Sequence, residues 1–312
     1  MAPWLIALLV VLALYILAEA KTSRSDGELV KKLHPYRRLM PYVMRGRNES
    51  VVYFDTYVNA EPLLEYLEQA KKKFGANLTH CLVAAGFVGI TEAPTMNYFS
   101  HGRRLYKRKG RWISFSMKRK KKNKKAKLSV VKKQQLEGET FRGLCERVNA
   151  GINVERSGKK TAADKEFDLF NALPRPLLSV AANLLRVLDY FNLLPAFFIE
   201  GDGMYTSIFV ANLGSVGMDP GYHHLYEWGN CPLFMMVGKV AERPVVIDGE
   251  VKVQKQLHIR WSYDERIDDG LSARFGIDAV QKVLEHPFEY FGCLADDGSD
   301  ARPLDTPLPE AA

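Results

Sequence analysis

The chain has 312 residues, 47% of them apolar, which suffices for a hydrophobic core in one large or two small domains. Its formal net charge of +8 comes from residues 118–127, where eight of ten residues are Lys or Arg; elsewhere basic and acidic residues are equal in number. This balance argues against a surface that binds nucleic acid generally. The four cysteines are widely spaced and match neither a metal-binding motif nor a disulfide framework, so we interpret them as reduced packing residues.

The N-terminal segment is an uncharged, almost wholly apolar run over residues 3–18. No Lys or Arg precedes this run and six follow it between residues 21 and 38, which favours a single-pass membrane anchor over residues 1–20 with the body of the protein facing the cytoplasm. Two alternatives stay open. Ala18-Glu19-Ala20 resembles a cleavage site, which would make the segment a signal peptide, and a hydrophobic helix docked on the body is the third reading.

The first half of the body alternates between helical and strand patterns. The polar residues 21–35 indicate a linker. Spacing of apolar residues predicts a strand over 51–59, a helix over 61–74 that ends at Gly75, a buried helix over 79–90, a strand over 112–117 and a helix over 140–148.

The second half begins with an amphipathic helix over 177–191, whose apolar stripe can lie on a bilayer surface or, as the commoner outcome, pack against the domain. Strands are predicted over 206–212, 233–240, 244–247 and 256–262, and a helix over 272–285. The Asp- and Pro-rich residues 294–312 predict a disordered tail. Mixed strands and helices in this order indicate an α/β sandwich.

Four segments, in order, resemble the catalytic domain of the 2-oxo acid dehydrogenase acyltransferases, in the superfamily of chloramphenicol acetyltransferase. They are RLMPYVMR at 38–45, PTMN at 94–97, IFVANLG at 208–214 and LHIRWSYDERIDDG at 257–270, and GKVAERPVVIDGEV at 238–251 resembles the family at the same place. The resemblance implies a two-layer α/β sandwich with a mixed β-sheet over residues 36–293, with residues 118–127 as a basic insertion. Because the apolar run stands where the family has its lipoyl and subunit-binding domains, we do not expect the core of a dehydrogenase complex.

The resemblance also implies a chemistry. The family transfers an acyl group between coenzyme A and a second thiol, hydroxyl or amine, at a site between two subunits of a trimer. Its base is the histidine of H-x-x-x-D-G, and the serine of S-N-L-G stabilises the oxyanion. In this chain Glu265 stands at the histidine position and Ala211 at the serine position.

The other motif positions match. Asp269 and Gly270 complete the first motif, and Asn212 and Gly214 complete the second. By the resemblance, Asp269 orients its loop through an early arginine, for which Arg38 and Arg45 are the candidates.

The two substituted positions bear differently on catalysis. Burial can raise the pKa of a glutamate by several units, so Glu265 can act as a base with Asp269 in support. Loss of the serine hydroxyl at Ala211 removes an oxyanion donor that contributes about 3 kcal/mol. Ser207 and Ser215 do not occupy the matching place, and we interpret His223 and His224 as loop residues.

The first hypothesis is a membrane-anchored acyltransferase that uses coenzyme A or an acyl carrier protein as donor. The alternative is a catalytically inactive trimer that serves as a scaffold or subunit of a membrane complex, in which Glu265 is a structural carboxylate. No motif predicts a metal site.

The basic run supplies Lys118, Arg119, Lys120, Lys121, Lys122, Lys124, Lys125 and Lys127. It can be a solvated loop, a clamp on anionic lipid headgroups, or a dock for an acidic acyl carrier protein or the phosphates of coenzyme A. Nucleic acid is the least favoured partner, because no aromatic residues are interleaved with the lysines.

Overall fold

The computed structural model describes residues 2–119, 128–157, 168 and 170–309. Its helices are α1 (Pro3–Ala20), α2 (Pro35–Val43), α3 (Glu61–Phe74), α4 (Leu78–Glu92), α5 (Phe141–Arg156), α6 (Arg175–Tyr190), α7 (Ala196–Gly201), α8 (Gly270–Glu285) and α9 (Pro287–Tyr290). Its strands are β1 (Gly27–Leu29), β2 (Val51–Asn59), β3 (Tyr98–His101), β4 (Arg104–Arg108), β5 (Trp112–Lys118), β6 (Leu128–Gln134), β7 (Ile208–Asn212), β8 (Leu233–Ile247) and β9 (Glu250–Asp264).

A mixed six-stranded sheet in the order β2-β9-β8-β7-β5-β6 forms the centre of the molecule. Strand β7 is parallel to both of its neighbours, β5 and β8, and the other pairs are antiparallel. A small antiparallel sheet, β1-β4-β3, lies beside it. The prediction of an α/β fold with a mixed sheet is confirmed.

The main core lies between one face of the six-stranded sheet and the helices α3, α4, α5 and α8. Residues 80–90 of α4 are all buried, as an apolar run without a polar face requires. Helices α4 and α8 approach closely at Gly89, where an added Cβ would lie 2.8 Å from the carbonyl oxygen of Gly276. Gly75 ends α3 with φ of 71°, as predicted.

The long hairpin of β8 and β9 corrects one prediction. Residues 233–240 and 244–247 belong to a single strand that continues through Pro244, which pairs with Val253. Pairing of β8 with β7 ends at Val237, so the missing N–H of Pro244 lies on a free edge and breaks no ladder. Asp248 and Gly249 both have positive φ and close the hairpin in a two-residue turn.

The two ends of the predicted domain also differ from expectation. Residues 21–35 are not only a linker, because they contain β1 and the buried side chain of Arg24. The composition of the tail predicts disorder, whereas residues 294–309 pack on the domain: Leu304 is buried, its N–H donates to the carbonyl of Glu139, and the N–H of Leu308 donates to Glu92 Oε1. Two docked leucines outweigh the polar residues around them.

The amphipathic helix is the third difference. In α6, the side chains of Leu177, Val180, Leu184 and Val187 are exposed, and only Asp189 is buried. The predicted stripe is divided: Leu177 and Leu184 are exposed, whereas Leu188 packs on the cluster of Leu194, Ile199 and Tyr205, so only the C-terminal end of the stripe packs on the domain. Helix α1 is long and apolar enough to cross a membrane and has no buried residue.

Candidate functional site

Glu265 lies in the turn that follows β9, and its backbone is held on both sides. Its N–H donates to the carbonyl of Ser50 at 3.0 Å, and its own carbonyl accepts from Arg37 at 2.9 Å. The side chain is half-buried and, within the described part of the chain, has no hydrogen-bond or ion-pair partner. The backbone of Glu265 is therefore held in place, while its carboxylate is available to accept a hydrogen bond or a proton.

The residues on either side of Glu265 anchor the turn. Asp264 is buried and binds Arg266 through both carboxylate oxygens, at 2.8 and 2.7 Å, and it accepts from the hydroxyl of Ser50 at 2.9 Å. Arg266 also donates to the carbonyls of Met44 and Arg45. This bidentate pair ties the turn to the segment before β2, and it is stronger than a neutral hydrogen bond.

Asp269 caps helix α8. Its Oδ1 accepts from the N–H groups of Leu271 and Ser272 at 3.1 and 3.2 Å. Neither of the predicted partners, Arg38 and Arg45, reaches it: both are exposed, and their side chains form no ion pair with a described residue. The carboxylate of Asp269 instead accepts hydrogen bonds from backbone N–H groups at the start of α8, which have no partner within the helix.

A different arginine reaches the neighbouring carboxylate. Arg37 lies 3.4 Å from Asp268, and burial, which raises the pKa of Asp268, is outweighed by hydrogen bonds and by the charge of Arg37, so that this pKa is lowered. Successive helical residues are about 100° apart, so Arg37 faces the turn while Arg38 points away from it.

The second motif forms a turn at the end of β7. Asn212 Oδ1 accepts from the N–H of Ser215 at 3.0 Å and so caps the short helical turn Leu213–Val216. An added Cβ at Gly214 would lie 2.3 Å from the carbonyl oxygen of Gly238, so the two backbones touch there. Both matched residues thus shape the turn.

Neither of the two serines near the second motif replaces the hydroxyl that is missing at Ala211. The hydroxyl of Ser207 accepts from the N–H of Trp112, and that of Ser215 donates to the carbonyl of Asn212. Both hydroxyls are therefore engaged with backbone.

The two motifs lie at different ends of the sheet. Asn212 pairs with Val237, which pairs with Ile259, and Glu265 is six residues further along, about 20 Å at the strand rise of ~3.3 Å per residue. One copy of the chain does not bring Glu265 and the Asn212 turn together.

The paired histidines belong to a loop over the outer face of the sheet. The ring of His223 stacks on Phe234, with centroids 4.6 Å apart, and its carbonyl accepts from Ser262. Burial lowers the pKa of His223. The ring of His224 stacks on that of His223 and also contacts Tyr226, so both rings have packing partners.

A buried polar cluster escaped the sequence interpretation. Asp189 Oδ1 lies 2.9 Å from Arg24 and 3.2 Å from Nε2 of His101, and Oδ2 accepts from the hydroxyl of Tyr205 at 2.6 Å. Burial alone would raise the pKa of Asp189, but His101 and Arg24 hold it well below its ordinary range. The one signal in the sequence was a histidine before Gly102 at the end of a strand.

This cluster forms the floor of a cleft of about 500 Å³. We call it the arginine cleft, because its walls include Arg45, Arg47, Arg103, Arg186 and Arg266. The interior beside Tyr263, by contrast, holds a cavity of about 30 Å³ among Met96, Trp261 and neighbouring apolar side chains. That is about the volume of one water molecule and far below the ~300 Å³ of a small ligand pocket.

The basic run falls largely outside the described residues. Of its eight basic residues, Lys120, Lys121, Lys122, Lys124, Lys125 and Lys127 are not described, and Lys118 is the last residue of β5. Arg119 pairs with Glu155 at 2.8 Å and so belongs to the folded domain. No group of three or more metal-ligating side chains occurs among the residues described, and all four cysteines are buried and unpaired, as predicted.

Known proteins resemble part of this sequence and most of its fold. Residues 202–291 match the family model of the 2-oxoacid dehydrogenases acyltransferase (catalytic domain). The lipoamide acyltransferase component of the branched-chain alpha-keto acid dehydrogenase complex of Pseudomonas putida is 43% identical over 60 residues, which are 19% of this chain and 14% of that protein. The chain therefore matches only about one seventh of the length of this curated relative.

Solved structures match over most of the body. A probable dihydrolipoamide acetyltransferase from Listeria monocytogenes superposes with a TM-score of 0.54 and 17% identity, covering 83% of this chain and 94% of that one. The cubic core of the pyruvate dehydrogenase multienzyme complex gives a TM-score of 0.53 and 18% identity, covering 83% and 93%. At these identities the likeness concerns the fold.

Proposed function

We propose that this protein is a membrane-attached acyltransferase with Glu265 as its base, because residues 202–291 match the family model of the 2-oxoacid dehydrogenases acyltransferase catalytic domain and the body has a similar fold. The donor would be coenzyme A or an acyl carrier protein, and the acceptor a thiol, hydroxyl or amine. Helix α1 would cross the membrane once, with the body on the cytoplasmic side.

The observation that carries the proposal is the state of Glu265. The family motif has changed its reacting residue, yet the turn that presents it is braced by the buried pair of Asp264 and Arg266. A braced turn with an unpartnered carboxylate can take a proton from an acceptor without first breaking an ion pair.

The distance between the two motifs supports a site shared by subunits. Since Glu265 and the Asn212 turn are about 20 Å apart along the sheet of one chain, a second copy would have to supply one of them. We therefore propose a homotrimer, as the family resemblance implies. Asp269 and Gly270 would hold the start of α8 in that site, and Arg38 and Arg45, exposed as they are, would be available to a neighbouring subunit.

The second candidate is an inactive scaffold or subunit of a membrane complex. One observation favours it: Ala211 offers no hydroxyl to an oxyanion. In that case the braced turn would serve assembly alone.

The test is release of free coenzyme A from a short acyl-coenzyme A by the full-length protein in nonionic detergent, with dithiol, hydroxyl and amine acceptors. The isosteric Glu265→Gln is expected to lower turnover by about 10²-fold or more, since it removes the base. Glu68→Gln, which changes an exposed glutamate of α3 in the same way, is expected to have no effect.

Thermal unfolding of both variants checks that the fold is kept. Equal turnover by the native protein and Glu265→Gln would refute the assigned base. Absence of turnover and of millimolar coenzyme A binding in the native protein would favour the scaffold.

A further inference from the structure

We propose that the arginine cleft binds the phosphate headgroup of an anionic membrane phospholipid, while the exposed stripe of α6 lies on the bilayer beside it. Only the membrane location of α1 is taken from the proposed function; acyl transfer is not required.

The lining of the cleft has more arginines than carboxylates. The guanidinium groups of Arg45, Arg103 and Arg186 form no ion pair with any residue the structure describes. Arg47 is only 4% exposed, and its guanidinium donates to carbonyl oxygens alone, those of Tyr226 at 3.1 Å and Ser100 at 3.3 Å. Burial lowers the pKa of Arg47 although the charges of Asp264 and Glu227 act in the opposite direction, so an additional anion would stabilise this site.

The acidic residues of the cleft are already engaged. Asp189 is bound by Arg24, His101 and Tyr205. Glu227 Oε1 accepts from the backbone N–H and the side-chain amide of Asn48. Among the residues that the structure describes, neither carboxylate forms an ion pair with Arg45, Arg103 or Arg186. Several guanidinium groups around one cleft suit a phosphate, whose oxygens accept paired N–H bonds.

Helix α6 joins this cleft to an apolar surface. One side supplies Leu185, Arg186, Asp189 and Tyr190 to the cleft. The other side exposes Leu177, Val180, Leu184 and Val187, each by more than half. Their spacing of three and four residues makes one continuous stripe along the helix. A helix that is apolar outside and cationic beside the cleft has the character of an interfacial helix on an anionic bilayer.

Contacts with α1 set the depth of that surface. The ring of Tyr15 meets the ring of Phe191, just after α6, with centroids 6.1 Å apart. Arg104 pairs with Glu19 at 2.6 Å, and the side chain of Asn192 donates to the carbonyl of Lys21. Tyr15 lies five residues before the end of α1, a rise of about 7.5 Å, which matches the 5–10 Å depth of interfacial helices. The end of α6 therefore lies at the membrane interface.

The test measures binding to the full-length protein in nonionic detergent by calorimetry. The probes are dihexanoyl phosphatidic acid, dihexanoyl phosphatidylcholine and glycerol 3-phosphate. We expect phosphatidic acid to bind most tightly, and the double variant Arg103→Gln/Arg186→Gln to weaken it by about tenfold or more, because two charged donors are lost. The control Arg142→Gln/Arg274→Gln removes the same charge from two exposed helical arginines paired within their own helices.

Three results would overturn the proposal. They are equal affinities for the two short-chain lipids, an equal loss in both double variants, and glycerol 3-phosphate binding as tightly as phosphatidic acid, which would assign the cleft to a soluble phosphate compound. Because this experiment measures binding, its outcome is independent of the test of acyl transfer. A protein that shows no acyl transfer can still bind the lipid, and a protein that transfers acyl groups can fail to bind it.

Discussion

A histidine at the start of α4 links the pH of the solution to the stability of the main core. Asn77 N–H donates to Nδ1 of His80 at 3.0 Å, while the Asn77 side chain accepts from the N–H of Thr79, so the first turn of α4 is capped from both sides. The acceptor Nδ1 must be unprotonated. Burial lowers the pKa of His80 from 6.5 to about 4.

This shift predicts a loss of stability in acid. Above pH 6.5 His80 is neutral in both the native and the unfolded state, and its contribution to the free energy of unfolding is complete. As the pH falls from 6.5 to 4, His80 becomes protonated in the unfolded chain but stays neutral in the native chain. The free energy of unfolding is expected to fall over this window by on the order of 3 kcal/mol more in the native protein than in His80→Gln, which keeps a capping acceptor but does not titrate. Chemical denaturation at several pH values measures the difference, and parallel curves for the two proteins would contradict it.

Two motif glycines act on different elements and for different reasons. Gly214 touches the backbone of Gly238, and an added Cβ would come within 2.3 Å of its carbonyl oxygen. Gly270 opens helix α8, where an added Cβ meets nothing within 4 Å. Close backbone packing thus explains the motif glycine at position 214 but not the one at position 270.

The pair offers a direct comparison. Gly214→Ala is expected to lower the free energy of unfolding by about 1–3 kcal/mol, because β7's turn must move away from β8. Gly270→Ala is expected to be neutral or slightly stabilising, since alanine favours a helix. Urea titrations of both variants test this, and similar losses in the two would show that the contact at Gly238 is not what constrains Gly214.

At the scale of the whole molecule, the C-terminal segment closes the core. Leu304 is 1% exposed, and Pro303 bridges to Thr140 at the start of α5. The segment joins residues that are more than 160 positions apart, so it stabilises the domain as a whole.

The consequence is measurable. Leu304→Ala is expected to cost about 2–4 kcal/mol by leaving a cavity, whereas Val216→Ala, at an exposed position, is expected to change stability by less than about 0.5 kcal/mol. Thermal and urea unfolding report both values. A Leu304→Ala variant as stable as the control would mean that the tail is not part of the cooperative unit.

Much of the fold was accessible from local patterns. Strand 51–59 and helix 61–74 were predicted with their observed bounds, because alternation and helical spacing record which side chains a single element must bury. The resemblance to the acyltransferase family locates the turn after β9 and identifies Glu265 and Ala211 as substitutions at its motif positions.

The tertiary structure decided which side chains meet. Arg24 and Asp189 are 165 residues apart, so no local spacing indicated that they pair beneath a cleft, or that His101 and Tyr205 join them. Likewise, the pattern of α6 defined an apolar stripe but not whether a neighbour covers it, since that depends on where the chain returns. Periodicity specifies the faces of an element, whereas the closure of distant segments determines what each face contacts.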